Sequence, residues 1–246
     1  MKENIIIITA ALPMEIAGIK ALGNFTKAAL PGGVEYYSGG VRDKDVALFV
    51  SGMGEERAYK AAKAACAELR PVAYICIGLS TALEERIGPG GVVVGESAIS
   101  PDRSVTYPAD ASLLSTARAA LEDAATFAPL TASLRVAWRS VDKRLIAAHC
   151  PAAALDMESF GAAKACAEAG VPFLAVRAIS DSLDEDLPVD FNLFSSGGGM
   201  DWPHFFFYIV THPGVIPPLM RLGRNSRLAA RNLTDAVEAL LDKKPL

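Results

Sequence analysis

The segment from Val171 to Asp181 has the sequence VPFLAVRAISD, in which a mostly apolar run ends at an acid. A short run of this kind, preceded by proline and followed by polar residues, is typical of a buried strand of an α/β sheet. Met157 and Glu158, which precede the intervening helical stretch, follow another short apolar run. Ligands of open α/β sheets collect outside the carboxyl ends of the strands. We therefore take Asp181 as the first catalytic candidate and Glu158 as a second acid of the same site.

Short apolar runs alternate with alanine-rich stretches along the whole chain, the pattern of a sheet covered by helices on both faces. No linker, charge block or internal repeat marks a domain boundary, so we expect one domain over residues 1–246. The predicted strands are Asn4–Thr9, Val34–Gly40, Val46–Val50, Val72–Ile77, Gly91–Ser100, Leu130–Trp138 and Pro172–Ile179. The predicted helices are Pro13–Leu22, Glu55–Leu69, Ala111–Ala124, Lys143–His149, Ser159–Ala169 and Pro217–Leu241.

The amino-acid composition indicates which kinds of molecule the protein binds. At 246 residues, with 51% hydrophobic and 21% charged residues, the chain can bury an extensive core. Its net charge of -4 argues against a nucleic-acid surface, which needs clustered basic residues, and favours small substrates. The four cysteines form no C-x-x-C pair and three histidines are scattered, so we expect a cytoplasmic protein without a metal site.

Four segments in a fixed order carry a family resemblance: AALPME at 10–15, SGMG at 51–54, IGLSTA at 77–82 with GGVVV at 90–94, and the stretch 154–181. Together they resemble the nucleoside phosphorylase and nucleosidase superfamily, whose members break the N-glycosidic bond of nucleosides. The resemblance covers roughly the first three quarters of the chain. It implies an α/β fold, a three-layer α/β/α sandwich around a mixed twisted sheet. It also implies a homo-oligomer, a dimer or a hexamer, with no cofactor.

The resemblance assigns roles to the acids. Asp181 would protonate or hydrogen-bond N7 of a purine base, and Glu158 would bind the ribose hydroxyls above an apolar contact from Met157. Glu15 occupies the position of the glutamate that activates water in the nucleosidase branch. Each has a purely structural alternative, because acids in first helical turns and loops also serve as caps or complement the helix dipole.

Further binding residues follow from the same motifs. Ser51 and the backbone amide of Gly52 would hold a water or a phosphate oxygen, with Arg57, or else Arg42, as phosphate partner. Val141 would supply backbone contacts to the base, and Ser80 and Ser180 belong to the strand-end motifs. The acceptor stays open at this point: Glu15 favours water, whereas a second branch resemblance favours inorganic phosphate as co-substrate.

That second resemblance lies in residues 191–246, an aromatic-rich helical C-terminal segment that includes Trp202 and the run FFFYIV at 205–210. It is similar to the hopanoid-biosynthesis-associated phosphorylases, whose proposed substrate is adenosylhopane. An apolar wall beside the 5′ side of the sugar fits such a substrate, since each buried CH₂ contributes about 0.8 kcal/mol. The alternatives are a flap that completes the core or a subunit interface. Arg221, Arg224, Arg227 and Arg231 follow, either as a solvated helix face or as a peripheral contact with anionic lipid.

Three competing functions remain. The first is a nucleosidase of the methylthioadenosine/adenosylhomocysteine type. The second is a non-catalytic nucleoside-binding module. The third is an α/β-hydrolase esterase, because Ser80 lies in a sequence close to a nucleophile elbow, with Asp181 or Asp184 and then His204 or His212 in triad order.

Overall fold

The computed structural model describes residues 4–196 and 199–243. Its strands are β1 (Ile6–Ala10), β2 (Asn24–Ala29), β3 (Glu35–Val41), β4 (Lys44–Val50), β5 (Ala73–Ala82), β6 (Val92–Ile99), β7 (Thr106–Pro108), β8 (Thr126–Ala132), β9 (Ala154–Asp156), β10 (Phe173–Asp181), β11 (Ser195–Ser196) and β12 (Gly199–Met200). Its α-helices are α1 (Pro13–Ala21), α2 (Glu55–Leu69), α3 (Ala111–Leu121), α4 (Ser140–His149), α5 (Ser159–Ala169), α6 (Trp202–Thr211) and α7 (Ile216–Leu241).

The main sheet is mixed and partly closed. Its strands follow the order β10-β6-β8-β9-β5-β1-β4-β3-β2, and β7 pairs with β6. Because β10 also pairs with β5, the strands β5, β10, β6, β8 and β9 form a ring, from which β1, β4, β3 and β2 extend as an open sheet. The predicted mixed sheet is confirmed, whereas its closure into a ring was not foreseen.

Helices cover both faces of the sheet. Ile5 and Ile7 pack into a core with α2 and α5, while Ile6 and Ile8 pack into a second core with α1, α3 and α7. Successive side chains of a strand point to opposite faces, so a strand that is apolar at every position needs a cover on both sides. The predicted arrangement of helices on both faces in a single domain is therefore confirmed.

Several predicted boundaries are wrong. Residues 78–82 lie beyond the predicted strand end at Ile77 but continue β5. The missing side chain of Gly78 leaves room for Arg177, because a Cβ at 78 would lie 2.7 Å from Nη1 of that residue. The predicted strand Leu130–Trp138 ends at Ala132, and the chain then forms a loop in which the Ser133 hydroxyl bonds the backbone of Arg135. Helix α4 starts at Ser140, three residues before the predicted start.

Part of the C-terminal segment packs into a small separate hydrophobic core. Phe194 and Phe205 pack against each other at 5.2 Å between ring centroids, together with Val189. The outer face of α6 is exposed, with 68% of Phe207 and 78% of Val210 accessible to solvent. Among the described residues no helix combines the length and the apolar character needed to cross a membrane.

Candidate active site

A cavity of about 510 Å³ lies where β1, β5 and β10 end. Four carboxylates from different parts of the chain line it, namely Glu15, Asp156, Glu158 and Asp181. Sites of α/β proteins form at this edge of the sheet because the loops that leave parallel strands converge there. The structure thus brings together the three acids that the sequence selected, and adds Asp156.

Asp181 is the last residue of β10 and is buried. The pairing of β10 with β5 is irregular between Ile179 and Asp181, so that Asp181 lies opposite Thr81. Its Oδ2 accepts a hydrogen bond from the Thr81 hydroxyl at 2.9 Å, and its Oδ1 accepts one from Ser180 at 2.7 Å. Irregularities of this kind re-aim side chains near active sites. The helix-cap alternative for Asp181 is wrong, because β10 ends here without a helix following.

A lysine that the sequence analysis had treated only as the start of a helix is the third partner of Asp181. Lys143 of α4 lies 2.7 Å from Asp181 Oδ2 through its Nζ, and its side chain is 0% exposed. An ammonium group and two hydroxyl donors together fix the orientation of this carboxylate. Asp181 is therefore one half of a buried ion pair, which no local pattern predicts because its partner lies 38 residues away along the chain.

Glu15 serves both as a helix cap and as a cavity residue. Its Oε2 accepts the backbone N–H of Leu12 at 2.7 Å, and its Oε1 accepts that of Leu79 at 2.8 Å. Burial raises the pKa of Glu15, and the two backbone donors offset part of this effect. A carboxylate whose basicity is raised towards neutral pH is better suited to accept a proton from water.

Glu158 connects two helix starts. Its Oε1 accepts the backbone N–H of Gly54 at 2.8 Å, which ties the loop before α2 to the start of α5. This approach depends on Gly161, since a Cβ there would overlap the backbone carbonyl of Glu55. Burial, followed by the neighbouring carboxylate of Asp156, raises the pKa of Glu158 to about 7. Met157 lines the cavity beside it.

Beneath these acids lies a second buried ion pair, which the sequence analysis missed. Arg177, 0% exposed, pairs with Asp156 through Nε, and its Nη2 lies 2.9 Å from the hydroxyl of Ser159 and 3.2 Å from Sγ of Cys76. Within the described part of the chain, Nη1 has no hydrogen-bond partner. The available signal was an arginine inside an otherwise apolar strand, which requires a buried counter-charge.

Ser80 and Ser180 both line the cavity. The Ser80 hydroxyl is buried and has no partner among residues 4–196 and 199–243. A buried hydroxyl without a partner is costly, so one that faces a cavity is a ready ligand contact. This arrangement fits the substrate-binding role predicted for both serines.

The cavity lining does not include five other predicted binding residues: Ser51, Gly52, Val141, Arg57 and Arg42. Ser51 donates its hydroxyl to the carbonyl of Gly52 at 2.9 Å, and in this loop it is Met53 that reaches the cavity. Val141 is 60% exposed at the start of α4, because the helix begins earlier than predicted. Arg57 is exposed on α2. Arg42 pairs instead with Glu238 and Asp242 on the protein surface.

The loop at 133–137 lines the cavity in place of Val141. Asn192 holds this loop: its Oδ1 accepts the backbone N–H of Val136 at 2.9 Å, and its Nδ2 donates to the Val136 carbonyl at 2.9 Å. Phe191, Met200 and Leu222 of the C-terminal segment also line the cavity. The segment therefore contributes an apolar wall in addition to its own small core.

The esterase alternative is contradicted by the structure. Ser80 lies within β5, and not in the strand-to-helix turn that a nucleophile elbow requires. His204 and His212 are exposed, and neither lines the cavity. Asp184 pairs with Arg144 on the surface.

The family assignment rests on a match over most of the chain. Residues 5–196 match the model of the phosphorylase superfamily. The chain belongs to this superfamily. The match ends before α6, so the predicted resemblance to the superfamily is confirmed while the C-terminal segment lies beyond it.

Named relatives point to the nucleosidase side of this superfamily. The chain is 25% identical to a 5′-methylthioadenosine/S-adenosylhomocysteine nucleosidase of Marinomonas sp. (strain MWYL1), covering 76% of this chain and 90% of the relative. A nucleosidase of the same name from Listeria monocytogenes is 24% identical, with the same coverage. The predicted activity class, an enzyme that cleaves N-glycosidic bonds, is confirmed at this level by these relatives.

Solved structures share the fold. The chain resembles futalosine hydrolase of Helicobacter pylori, with a TM-score of 0.77, 16% identity and 97% of each chain covered. It also resembles the 5′-methylthioadenosine/S-adenosylhomocysteine nucleosidase of Neisseria meningitidis, solved in complex with methylthio-immucillin-A. Here the TM-score is 0.78 and the identity is 20%, with 97% of this chain and 99% of that one covered.

Proposed function

We propose that the chain hydrolyses the N-glycosidic bond of an adenine nucleoside, and that water is the acceptor of the sugar. The observation that carries this proposal is the convergence of three buried acids, Glu15, Glu158 and Asp181, on one cavity. Cleavage leaves positive charge on the sugar and negative charge on the base. Cleavage therefore requires three groups: a general acid that protonates the departing purine, a hydrogen-bond acceptor for the sugar hydroxyls, and a general base that takes a proton from the attacking water.

Charge balance supports water over phosphate. The charged residues that line the cavity are four carboxylates and the exposed Arg135. The buried guanidinium of Arg177 is already paired with Asp156, and the phosphate partners expected from the sequence, Arg57 and Arg42, are not part of the lining. Phosphate sites in proteins are built from arginine, lysine or free helix N-termini, because a dianion repels nearby carboxylates.

Each acid then has one task. Glu15 accepts the proton of the attacking water, for which its raised pKa suits it. Glu158 accepts hydrogen bonds from the ribose hydroxyls while Gly54 holds its other side, and Met157 offers the apolar face beneath the sugar. Asp181 protonates or hydrogen-bonds N7 of the leaving purine. Ser80 supplies one further hydroxyl to the bound nucleoside.

The apolar wall of the cavity suggests a large apolar group at the 5′ position. Phe191, Met200 and Leu222 supply this wall from the C-terminal segment, next to the acids. A nucleoside such as adenosylhopane, with a lipid in place of the 5′-hydroxyl, would gain burial there, and the exposed α6 would then contact a membrane surface peripherally. From the resemblance to the superfamily we also expect the protein to be a homo-oligomer.

The test is release of free adenine from adenosine, 5′-methylthioadenosine and a 5′-alkylated adenosine, in phosphate-free buffer and in phosphate. Release that does not depend on phosphate supports hydrolysis, and release only with phosphate replaces it by phosphorolysis. A kcat/KM that rises with 5′-chain length supports the apolar wall. Binding of adenosine without release of adenine would identify a non-catalytic module instead.

The acid assignment has its own test. Asp181→Asn keeps the shape of the side chain but removes the proton-transferring group, and we expect kcat to fall about 10²- to 10⁴-fold. Full activity of this variant on an adenine nucleoside would exclude Asp181 as the acid.

A further inference from the structure

Lys143 is a fully buried lysine whose ammonium group has three hydrogen-bond acceptors. Its Nζ lies 2.7 Å from Asp181 Oδ2, 3.0 Å from the carbonyl of Ser182 and 2.6 Å from the carbonyl of Glu185. An ammonium group has three donors, and each here has one acceptor. Two of these acceptors are backbone carbonyls, so the position of Nζ is fixed by the chain and does not depend on Asp181.

Burying an ammonium group is costly unless it is paired and hydrogen-bonded. The neighbouring charged residues of α4 follow the ordinary rule, since Arg144 is exposed and pairs with Glu85 and Asp184. Lys143 is the fully buried residue of this helix, and its side chain reaches the acid that contacts the base in our proposed function. The buried ammonium group is therefore paired with the carboxylate of Asp181, whereas Arg144 makes its ion pairs at the surface.

The three donors to Asp181 leave one free direction. Thr81 and Lys143 occupy Oδ2, and Ser180 occupies one side of Oδ1. The remaining lone pair of Oδ1 is the one available to a ligand in the cavity, which Asp181 lines. Asp181 is thus held on its Oδ2 side by Thr81 and by the ammonium group of Lys143, which does not line the cavity.

We propose that Lys143 is the positioning residue of Asp181 and the source of the proton that Asp181 passes to the leaving base. This inference rests on the proposed glycosidase function. Among the described residues that line the cavity, the one cationic side chain is Arg135, which is exposed, and Glu15 and Glu158 are acceptors on the sugar side. Of the three donors to Asp181, Lys143 is the cationic one.

Cleavage of the glycosidic bond is coupled to proton transfer on both the base side and the sugar side. The C1′–N9 bond breaks and its electron pair moves onto the purine. A proton moves from Lys143 Nζ to the Asp181 carboxylate and from Asp181 to N7, so that Lys143 becomes a neutral amine and Asp181 is again a carboxylate. Water adds to C1′ and loses a proton to Glu15. Exchange with solvent after product release returns Lys143 to the ammonium form and Glu15 to the carboxylate.

Leaving-group dependence tests this role. A purine needs a proton to depart, whereas 4-nitrophenolate does not. Lys143→Met should slow cleavage of the best adenine nucleoside about 10²-fold in kcat, and should change cleavage of 4-nitrophenyl ribofuranoside less than about threefold. Lys143→Arg keeps a cation at this position but cannot release a proton, so it should not recover the adenine rate. Equal losses on both substrates, or no loss on either, would overturn the proposal.

Two controls separate this inference from folding and from the proposed function. In the Asp181→Asn background, Lys143→Met should cost nothing further, because Lys143 acts through Asp181; a further loss overturns the inference. This double variant also removes both charges, which keeps the test open if Lys143→Met alone fails to fold. Arg144→Met is the matched surface control and should leave both rates unchanged. An inactive wild-type protein would refute the proposed function itself, independently of the variants.

Discussion

The carboxylate of Glu158 accepts the backbone N–H of Gly54 at 2.8 Å, so the side chain that we assign to the sugar is held by the loop that precedes α2. Burial and the adjacent Asp156 raise the pKa of this group to about 7. A carboxyl whose folded pKa lies above its unfolded value binds more protons when folded. Its contribution to the free energy of unfolding is therefore greatest below the unfolded pKa, and it is lost as the pH rises through about 7.

Glu158→Gln should remove that pH dependence. Between about pH 4.5 and 7 the wild-type protein should lose up to roughly 3 kcal/mol of stability relative to the variant, since one pKa unit corresponds to about 1.4 kcal/mol. The measurement is the difference in the free energy of unfolding in urea between wild type and variant, at half-unit steps of pH. Parallel curves for the two proteins would contradict the raised pKa.

Glu15→Gln should strongly slow hydrolysis with little change in KM. The glutamine side chain still presents an oxygen to one of the two backbone donors, Leu12 and Leu79, but it cannot accept a proton from water. We expect kcat to fall about 10²- to 10⁴-fold, measured as adenine release at saturating nucleoside. A variant with wild-type kcat would exclude Glu15 as the general base.

Gly161→Ala should separate the starts of α2 and α5, because the added Cβ would overlap the Glu55 carbonyl. Overpacking of this kind typically costs about 1–3 kcal/mol, and here it should also raise KM by moving Gly54 away from Glu158. Gly88→Ala is the control, since a Cβ at that position meets no atom within 4 Å. The measurements are the urea midpoint and KM of each variant. Equal midpoints and equal KM values would show that the close approach at Gly161 contributes neither to stability nor to substrate binding.

Asp156→Ala should be the most destabilising of these changes. It leaves the fully buried guanidinium of Arg177 without its counter-charge, for which about 3–5 kcal/mol is typical. The thermal and urea midpoints of the purified variant provide the measurement. Lys60→Ala, which breaks an exposed pair with Glu56, should leave both midpoints unchanged. A loss no larger than that of the control would show that Arg177 finds another partner.

Asn192→Ala should release the loop at 133–137, because the side-chain amide makes both hydrogen bonds that hold Val136. We expect a higher KM for the nucleoside and a smaller effect on kcat, since no reacting group is removed. Asn232→Ala removes a comparable bond, from Nδ2 to the Gly90 carbonyl on another part of the chain, and should leave KM unchanged. If both variants share the same KM, the loop does not shape the cavity.

Local sequence patterns predicted the helices and the central strands well. Helices α2 and α5 match their predicted limits, and the buried strand before Asp181 was recognised from its apolar run. The missed strands are those without such a pattern: β2 is mostly exposed, β7 and β9 have three residues each, and β11 and β12 have two each. The loop after Ala132 was mistaken for strand, because its conformation depends on Asn192, which lies 56 residues away.

The sequence by itself determined which chemistry was available: two-sided apolar strands, acids at their ends, and the motifs of a glycosidase superfamily. Each of these signals is local, because side-chain periodicity and strand-end placement follow from neighbouring residues. Only the tertiary structure decided the partners of those acids, with Lys143 behind Asp181 and Arg177 beneath Asp156. It also decided that Val141 and Arg57 lie outside the cavity. Ion pairs in a water-excluded interior join residues that are remote along the chain, and their strength depends on burial, which no local pattern encodes.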